Sequence, residues 1–218
     1  MSLALEAGPT APVTHRYPIV RFGLIALERS IALVAVILLL PVLLVVAAAI
    51  YLDNPGPVLF RQVRVGQYGR FFSILKFRTM RLGAEAELAA LVMAEGGDMG
   101  AYVKLERDPR ITRLGAILRR TSIDELPQLW NVVRGDMSLV GPRPQTPAET
   151  ETYAVGHWRR LLVRPGITGL WQVSGRSDLS ADEALALDVG YVRRWSPGLD
   201  VRLLFRTVAV VLTGRGAR

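Results

Sequence analysis

The chain has 218 residues, half of them hydrophobic, and its 27 basic and 19 acidic side chains give it a net charge of +8. This length suffices for one sizeable domain and gives no reason to expect two. The absence of cysteine excludes disulfides, thiolate nucleophiles and cysteine-ligated zinc, and with two histidines in all, a serine hydrolase triad would have to rest on His157.

Arginine supplies 25 of the 27 basic residues, and its planar guanidinium is the side chain best shaped to bind phosphate in two places at once. A phosphate-bearing partner is therefore expected, such as a nucleotide, a nucleic acid or an anionic lipid. A solvated, arginine-rich surface would give the same composition. For chemistry, the composition favours carboxylates that work with a hard cation.

An uncharged apolar segment fills residues 31–52, and its 22 positions are enough for a helix to cross the hydrocarbon layer of roughly 30 Å. Pro41 divides this segment and predicts a kink. Arginines lie on both flanks, which favours the cytoplasmic side for both ends and therefore a re-entrant helix. A single kinked span and a cleavable signal sequence are the alternatives.

Turn and strand signals follow the apolar segment. Residues 53–57 (DNPGP) end it. Residues 58–60 and 71–77 are short, aromatic and β-branched, with glycines between them, so they predict a β-hairpin, with an irregular loop as the alternative. Residues 83–95 are rich in helix formers and predict a helix that ends at a pair of glycines.

Two further helices are indicated by periodicity and capping. Residues 111–120 have apolar side chains at helical spacing, with arginines elsewhere, which is typical of a short amphipathic helix. Ser180 and Glu183 form a capping-box pattern that predicts a helix to about Trp195.

Asp188 lies on the apolar stripe of that second helix. A carboxylate in such a place either pairs with a buried arginine or reaches into a site, and the pairing is the commoner outcome. After it, Asp200 is predicted to cap a last helix that runs to Leu212. This helix either lies at a bilayer surface or packs on the core of the domain.

The adjacent carboxylates Asp124 and Glu125 begin a predicted helix whose first turn tolerates Pro127. The free N–H groups of a helix start favour ionised carboxylates and nearby phosphate groups. An ionised aspartate is an oxygen nucleophile toward phosphorus, and a neighbouring glutamate can hold Mg²⁺. Taken alone, such a pair is more often simple helix capping.

Three short motifs place an arginine beside glycine or proline: GPRP around Arg143, RPGITG beginning at Arg164, and GRS around Arg176. Proline stiffens the backbone and glycine permits its close approach to a ligand. These segments can therefore hold an arginine guanidinium in a fixed direction toward a ligand. Any one of them is equally well an ordinary turn with a solvated arginine.

Together these motifs resemble one family. The chain is similar to the monotopic polyprenyl-phosphate phosphoglycosyl transferases, bacterial sugar transferases that initiate exopolysaccharide, O-antigen and glycoprotein glycans. The resemblance covers roughly residues 21–214. Its ordered motifs are KFRTM at 76–80, DPR at 108–110, DELPQ at 124–128, and the stretches 131–144, 164–169, 171–177 and 187–188.

This resemblance implies a ping-pong reaction. Asp124 would attack the sugar-bearing phosphorus of a UDP-sugar, UMP would leave, and polyprenyl phosphate would take the phosphosugar from Asp124. Glu125 would bind Mg²⁺ as the metal ligand. The residues implied in substrate binding are Arg143, Arg164, Arg176, Lys76, Arg78 and Asp188.

The implied architecture is mainly α with a small β-hairpin, an α+β fold. A flexible leader (1–20) precedes a proline-kinked re-entrant membrane helix (21–52). Amphipathic interfacial helices then surround one catalytic domain (53–214) on the cytoplasmic face of the bacterial inner membrane, followed by a short tail (215–218). We expect a member that consists of the catalytic core only.

The variant LWQVSGRS at residues 170–177 resembles the undecaprenyl-phosphate hexose-1-phosphate transferases. The expected partners are a UDP-sugar donor, polyprenyl phosphate and membrane lipid, with no nucleic acid, and a homodimer is compatible with the sequence. The alternative class is a membrane-tethered basic protein that binds phosphate or nucleic acid without catalysis.

Overall fold

The computed structural model describes residues 18–94, 108–175 and 179–213. Within this part, only the backbone is described at residues 18–22, 89–91, 94, 212 and 213. The fold is mainly helical with two small sheets, as predicted for an α+β protein. In chain order its elements are α1 (Pro18–Asp53), β1 (Leu59–Val65), β2 (Phe71–Phe77), α2 (Ala84–Ala94), α3 (Arg113–Thr121), α4 (Gln128–Arg134), β3 (Ser138–Val140), α5 (Pro147–Glu151), β4 (Gly166–Thr168), α6 (Ala181–Arg194) and α7 (Pro197–Thr213).

Helix α1 contains a stretch, Gly23–Asp53, that is long and apolar enough to cross a membrane. It begins at Pro18, inside the stretch predicted as a leader, and Pro41 lies within it. One face of the helix packs against the rest of the protein on both sides of Pro41. The packed residues recur every three or four positions: Ala32, Val36, Leu39, Leu43, Val46 and Ile50.

The predicted hairpin is confirmed, although its first strand is longer than expected. Strands β1 and β2 pair antiparallel, with Arg61 opposite Leu75 and Arg64 opposite Phe72. Directly opposed residues share a face, so even-numbered positions lie on one face of the hairpin and odd-numbered ones on the other. The even face carries Ile74 into the core formed with α1 and α4.

Helix α3 is held close to the chain that follows β2. Thr112 caps α3 by accepting a hydrogen bond from the N–H of Gly115 (2.9 Å). A Cβ added at Gly115 would lie 2.0 Å from the carbonyl oxygen of Thr79, so only glycine allows this approach. The predicted helix at 111–120 therefore exists, shifted by one or two residues.

A two-stranded parallel sheet, β3 with β4, was not predicted. Ser138 pairs with Gly166, and Val140 pairs with Thr168. The chain that leaves β3 passes against the chain that enters β4 so closely that a Cβ on Gly166 would lie 2.0 Å from the backbone nitrogen of Gly141. The strands have three residues each, too few for an alternating pattern to be visible in the sequence.

Helix α6 begins as predicted, with the Ser180 and Glu183 capping box formed. The predicted role of Asp200 as the cap of the last helix is wrong, because α7 begins at Pro197 and Asp200 lies in its first turn. The carboxylate of Asp200 instead accepts hydrogen bonds from the hydroxyl of Tyr191 (2.7 Å) and the indole N–H of Trp195 (2.9 Å). It therefore joins α6 to α7.

Candidate active site

The carboxylate pair lies on a tight turn between two helices rather than in the first turn of α4. Residues Ile123–Glu125 form a single 3₁₀ turn, and α4 follows at Gln128. Ser122 ends α3 in a left-handed conformation, with φ of 57°, which non-glycine residues seldom adopt. Such strain is typical of functional sites, and here it reverses the chain immediately before Asp124.

Asp124 is a buried carboxylate, with 8% of its surface exposed. Burial raises the pKa of Asp124 to about 6, and the charge of Glu125 adds to the rise, whereas Lys76 and Arg119 lower it. At neutral pH the group is therefore mostly ionised while it remains poorly hydrated. A carboxylate in this state is suited to attack an electrophile.

Glu125 forms an ion pair with Lys76, whose ammonium lies 2.8 Å from Oε1 of Glu125. Within the described residues, no cluster of three or more histidine, aspartate or glutamate side chains could hold a metal. Mg²⁺ commonly binds one or two carboxylates together with the phosphates of a substrate. The Asp124 and Glu125 pair fits a cation of that kind, which would arrive with a diphosphate and take the place of the ammonium at Glu125.

Asn131 fixes the position of strand β2 relative to the carboxylate pair. Its side chain is fully buried, donates to the carbonyl of Ser73 (2.8 Å) and accepts from the N–H of Leu75 (3.0 Å). Asn131 thus satisfies two backbone groups of β2 from α4. Because Lys76 follows Leu75 directly, these two hydrogen bonds also fix the position of the Lys76 ammonium relative to Glu125.

Arg64 connects the hairpin to the segment around Arg143. From the even face of β1, its buried guanidinium donates to the carbonyl of Pro144 (3.2 Å) and pairs with Glu149 (3.3 Å). Burial and the nearby charge of Arg143 lower the pKa of Arg64 to about 10, although Glu149 and Glu125 act in the opposite direction. Two arginines therefore lie close together near Glu125, an arrangement that an anion would stabilise.

The backbone of Arg143 is held by a buried ion pair. Arg160 and Asp188 pair with side-chain exposures of 1% and 3%. Arg160 also donates to the carbonyl of Arg143, while the N–H of Arg143 donates to Asp188 (3.3 Å). Both peptide groups of Arg143 are thus fixed, and its guanidinium lies 5.4 Å from the ring centre of Trp171.

Asp188 pairs with a buried arginine, which was the commoner of the two predicted outcomes. The pair contacts both peptide groups of Arg143, so the geometry assigns Asp188 and Arg160 to the positioning of Arg143. A direct contact of Asp188 with substrate stays a prediction.

The other predicted binding residues lie apart from the carboxylate pair or outside the described chain. Arg78 donates to the carbonyl of Asn54, so it stabilises the turn that ends α1. Arg164 lines a small cleft with Glu28, between α1 and α7. Arg176 lies outside the described residues, and its role in binding stays a prediction.

Four residues of the site were missed by sequence reasoning: Arg64, Arg119, Asn131 and Arg160. Arg119 belongs to the arginines thought to project away from the apolar face of α3, yet its charge acts on Asp124. Arg64 follows Gln62 in an alternating polar pattern along β1, which was the available signal for an inward polar face. Nothing local distinguishes Arg160 from its neighbour Arg159.

Comparison with known proteins identifies the family of this chain. The sequence model of the bacterial sugar transferase family matches residues 21–214. The galactosyl transferase CpsE of Streptococcus agalactiae is 49% identical over 164 residues, which are 75% of this chain and 36% of CpsE.

Two other relatives are closer to this chain in length. The exopolysaccharide production protein ExoY of Rhizobium meliloti is 41% identical over 85% of this chain and 84% of its own. A UDP-glucose:undecaprenyl-phosphate glucose-1-phosphate transferase of Caulobacter vibrioides is 42% identical over 90% of this chain and 73% of its own. Several other relatives resemble CpsE, in that the chain spans less than half of their length.

Proposed function

Since the chain belongs to the bacterial sugar transferase family, we propose that it transfers a hexose-1-phosphate from a UDP-sugar to polyprenyl phosphate. The products are UMP and a polyprenyl-diphosphate-linked sugar. The names of relatives support this proposal, since they include a galactosyl transferase, a UDP-galactose-lipid carrier transferase and a UDP-glucose:undecaprenyl-phosphate glucose-1-phosphate transferase. Such a reaction is the first membrane step of exopolysaccharide synthesis.

The proposal rests above all on the buried carboxylate of Asp124 among cations. In the first half-reaction, an oxygen of Asp124 forms a bond to the phosphorus that carries the sugar. The bond from that phosphorus to the bridging oxygen breaks, and UMP leaves with the electron pair. Lys76 and Arg119 keep Asp124 ionised beforehand, and Arg64 and Arg143 offer positive charge to the phosphates.

In the second half-reaction, a phosphate oxygen of the polyprenyl phosphate attacks the same phosphorus and Asp124 departs as a carboxylate. No external base is needed, because the attacking phosphate is already an anion. Glu125 would hold Mg²⁺, whose chemistry is the neutralisation of phosphate charge during such displacements.

The test is release of UMP by the detergent-solubilised full chain with Mg²⁺ and a panel of UDP-sugars. Without acceptor we expect a burst of about one UMP per protein, and with polyprenyl phosphate we expect turnover. Asp124→Asn abolishes both, whereas Asp182→Asn, at an exposed carboxylate of α6, leaves both intact. Full turnover by Asp124→Asn would disprove the covalent mechanism.

The non-catalytic alternative makes a different prediction. A basic tether for nucleic acid requires binding that weakens steeply with salt, and it gives no reason for the burial of Asp124 between cations. Oligonucleotide binding that falls steeply with added salt, in a protein that releases no UMP, would favour this alternative.

We further propose that α1 does not carry the chain across the bilayer, in agreement with the predicted re-entrant geometry. The packed face runs from Arg29, which donates to the carbonyl of Val133 (2.7 Å), to Ile50. At about 1.5 Å per residue this is roughly 32 Å, about the thickness of the hydrocarbon layer. A transverse helix packed over this length would bring the polar domain into the lipid with it.

Single cysteines introduced at Ser2 and Thr213 of this cysteine-free chain test the topology. A membrane-impermeant thiol reagent should label both from the cytoplasmic side only. Labelling of the two positions from opposite sides would show that the helix crosses. The degree of the kink at Pro41, the inner-membrane location and the homodimer stay predictions.

A further inference from the structure

An apolar groove begins at the catalytic turn and runs beside the membrane helix. Its volume is about 810 Å³, within the range of roughly 300–1,000 Å³ that is usual for small-molecule sites. Three walls form it: α1, the odd-numbered face of the hairpin, and the chain from Leu126 to Arg134. We propose that this groove holds the first isoprenyl units of the acceptor, with the acceptor phosphate directed to Asp124. This inference rests on the proposed function.

The hairpin wall is apolar where water would require polar side chains. The even face packs on the domain, and the odd face is largely exposed, although Val65 and Phe77 are buried. A solvated sheet face is normally polar. Arg61 and Ser73 follow this rule, but Leu59, Val63 and Phe71 do not, and Val63 and Phe71 are 49% and 68% exposed. An exposed apolar sheet face of this kind indicates an apolar ligand or a lipid environment.

The second wall places the groove beside the nucleophile. Leu126 and Pro127 follow the carboxylate pair directly, and Trp130 and Arg134 lie on the same side of α4 at helical spacing. This wall therefore begins directly after the carboxylate pair in the sequence, although neither carboxylate lines the groove. An acceptor held in the groove would extend its phosphate beyond this end to reach Asp124.

The third wall and the charge of the groove identify the occupant. Val36 and Leu44 of α1, on either side of Pro41, line the groove, so an apolar chain can enter from the bilayer. Among the described lining residues, Arg61 and Arg134 are basic and none is acidic, which suits an anionic lipid. Arg134 also pairs with Asp136 (3.4 Å), so Arg61 carries most of this argument.

The two faces of one hairpin thus serve different substrates. The even face turns Arg64 and Lys76 toward the carboxylate pair, where the donor diphosphate is expected. The odd face turns Val63 and Phe71 toward the acceptor tail. The groove has room for the units nearest the phosphate only, so the rest of a long tail stays in the bilayer.

Kinetics with full-length chain variants in detergent test this assignment. Val63→Glu and Phe71→Glu place a charge on exposed positions of the groove, and Val63→Leu preserves its character. Phe205→Glu places the same charge on an exposed apolar position of α7, outside the groove. We expect the two groove variants to keep the UMP burst obtained with donor alone and to raise the acceptor KM by about tenfold or more. Phe205→Glu should stay within about twofold of the native protein, and Val63→Leu should give an acceptor KM closer to the native value than Val63→Glu does.

A series of acceptors of increasing length adds a second readout. For the native protein kcat/KM should rise over the first few isoprenyl units and then level off, and Val63→Glu should flatten this rise. Acceptor kinetics unchanged in both groove variants would overturn the inference. Unchanged kinetics with weaker membrane partition would identify ordinary lipid as the occupant, and unchanged kinetics with an altered oligomeric state would identify a second copy of the chain.

Photocrosslinking separates failure of this inference from failure of the proposed function. The probe is a polyprenyl phosphate with a diazirine on its first isoprenyl units, applied to the Asp124→Asn protein. Peptides that contain Phe71 and Trp130 should be labelled, and unlabelled polyprenyl phosphate, but not phosphatidylglycerol, should compete. Labelling of these peptides, together with no UMP burst from the native protein, would retain the groove and reject the transferase. A UMP burst from the native protein without labelling of these peptides would do the opposite.

Discussion

The buried pair of Arg160 and Asp188 allows the sharpest test of the site's construction. Arg160→Met leaves the Asp188 carboxylate without its cationic partner at a buried position, since the native side chains of Arg160 and Asp188 are only 1% and 3% exposed. The N–H of Arg143 remains as a hydrogen-bond donor to Asp188. Breaking a buried pair on one side typically destabilises a protein by about 3–5 kcal/mol. For a chain of this size we expect the apparent melting temperature to fall by about 6–20 °C.

Thermal unfolding of the detergent-solubilised protein, followed by tryptophan fluorescence, measures this change. Arg193→Met, at an exposed position of α6, is the matched control and should alter stability by less than about 0.5 kcal/mol. The double variant Arg160→Met with Asp188→Leu removes both charges and should recover most of the loss. A double variant no more stable than Arg160→Met, or an Arg160→Met variant as stable as the control, would refute the stabilising role of the pair of Arg160 and Asp188.

Three further variants test other parts of the fold. Gly115→Ala brings a Cβ to 2.0 Å from the carbonyl of Thr79 and should destabilise by about 1–3 kcal/mol, whereas Gly198→Ala, which meets open space, should stay near native in the same melting assay. Asn131→Leu leaves two backbone groups of β2 without their partner. It should lower the free energy of unfolding by about 2–4 kcal/mol in chemical denaturation and slow the UMP burst. A native burst rate would contradict the role of Asn131 in placing Lys76. Burial raises the pKa of Asp200 to about 6 from an ordinary value near 3.8, so its contribution to stability is present at low pH and is lost as pH rises from about 4 to 6. Asp200→Asn should remove about 1–2 kcal/mol of that pH dependence after allowance for solvent screening, and an unchanged pH profile would argue against it.

Local signals predicted those parts of the fold that depend on neighbouring residues. The Ser180 and Glu183 box starts α6 because both partners lie within one turn. The same reasoning misplaced the start of α7 at Asp200, because Ser196 followed by Pro197 is the stronger signal. Ser196 accepts a hydrogen bond from the N–H of Leu199 (3.2 Å), and proline suits the first helical position.

The parts that could not be predicted depend on contacts between distant segments. Pairing of Asp188 with an arginine was one of two predicted outcomes, but 25 arginines were available and Arg160 is far from it in sequence. Asn131 finds its partners on β2, more than fifty residues earlier. The nucleophile itself was predicted from its resemblance to a family, since an acidic pair before a helix does not distinguish capping from chemistry.

The continuous seam between α1 and the domain has a mechanical consequence. A membrane helix that is joined to its domain at one end only lets the domain move relative to the bilayer. The reacting group is then found at many heights above the lipid. In the proposed arrangement, the packing of α1 on the domain on both sides of Pro41 would hold the whole molecule at one depth and one tilt. The height of Asp124 above the bilayer would then be set by the fold, so the proposed lipid acceptor, diffusing in the plane of the membrane, would meet Asp124 without a search perpendicular to it.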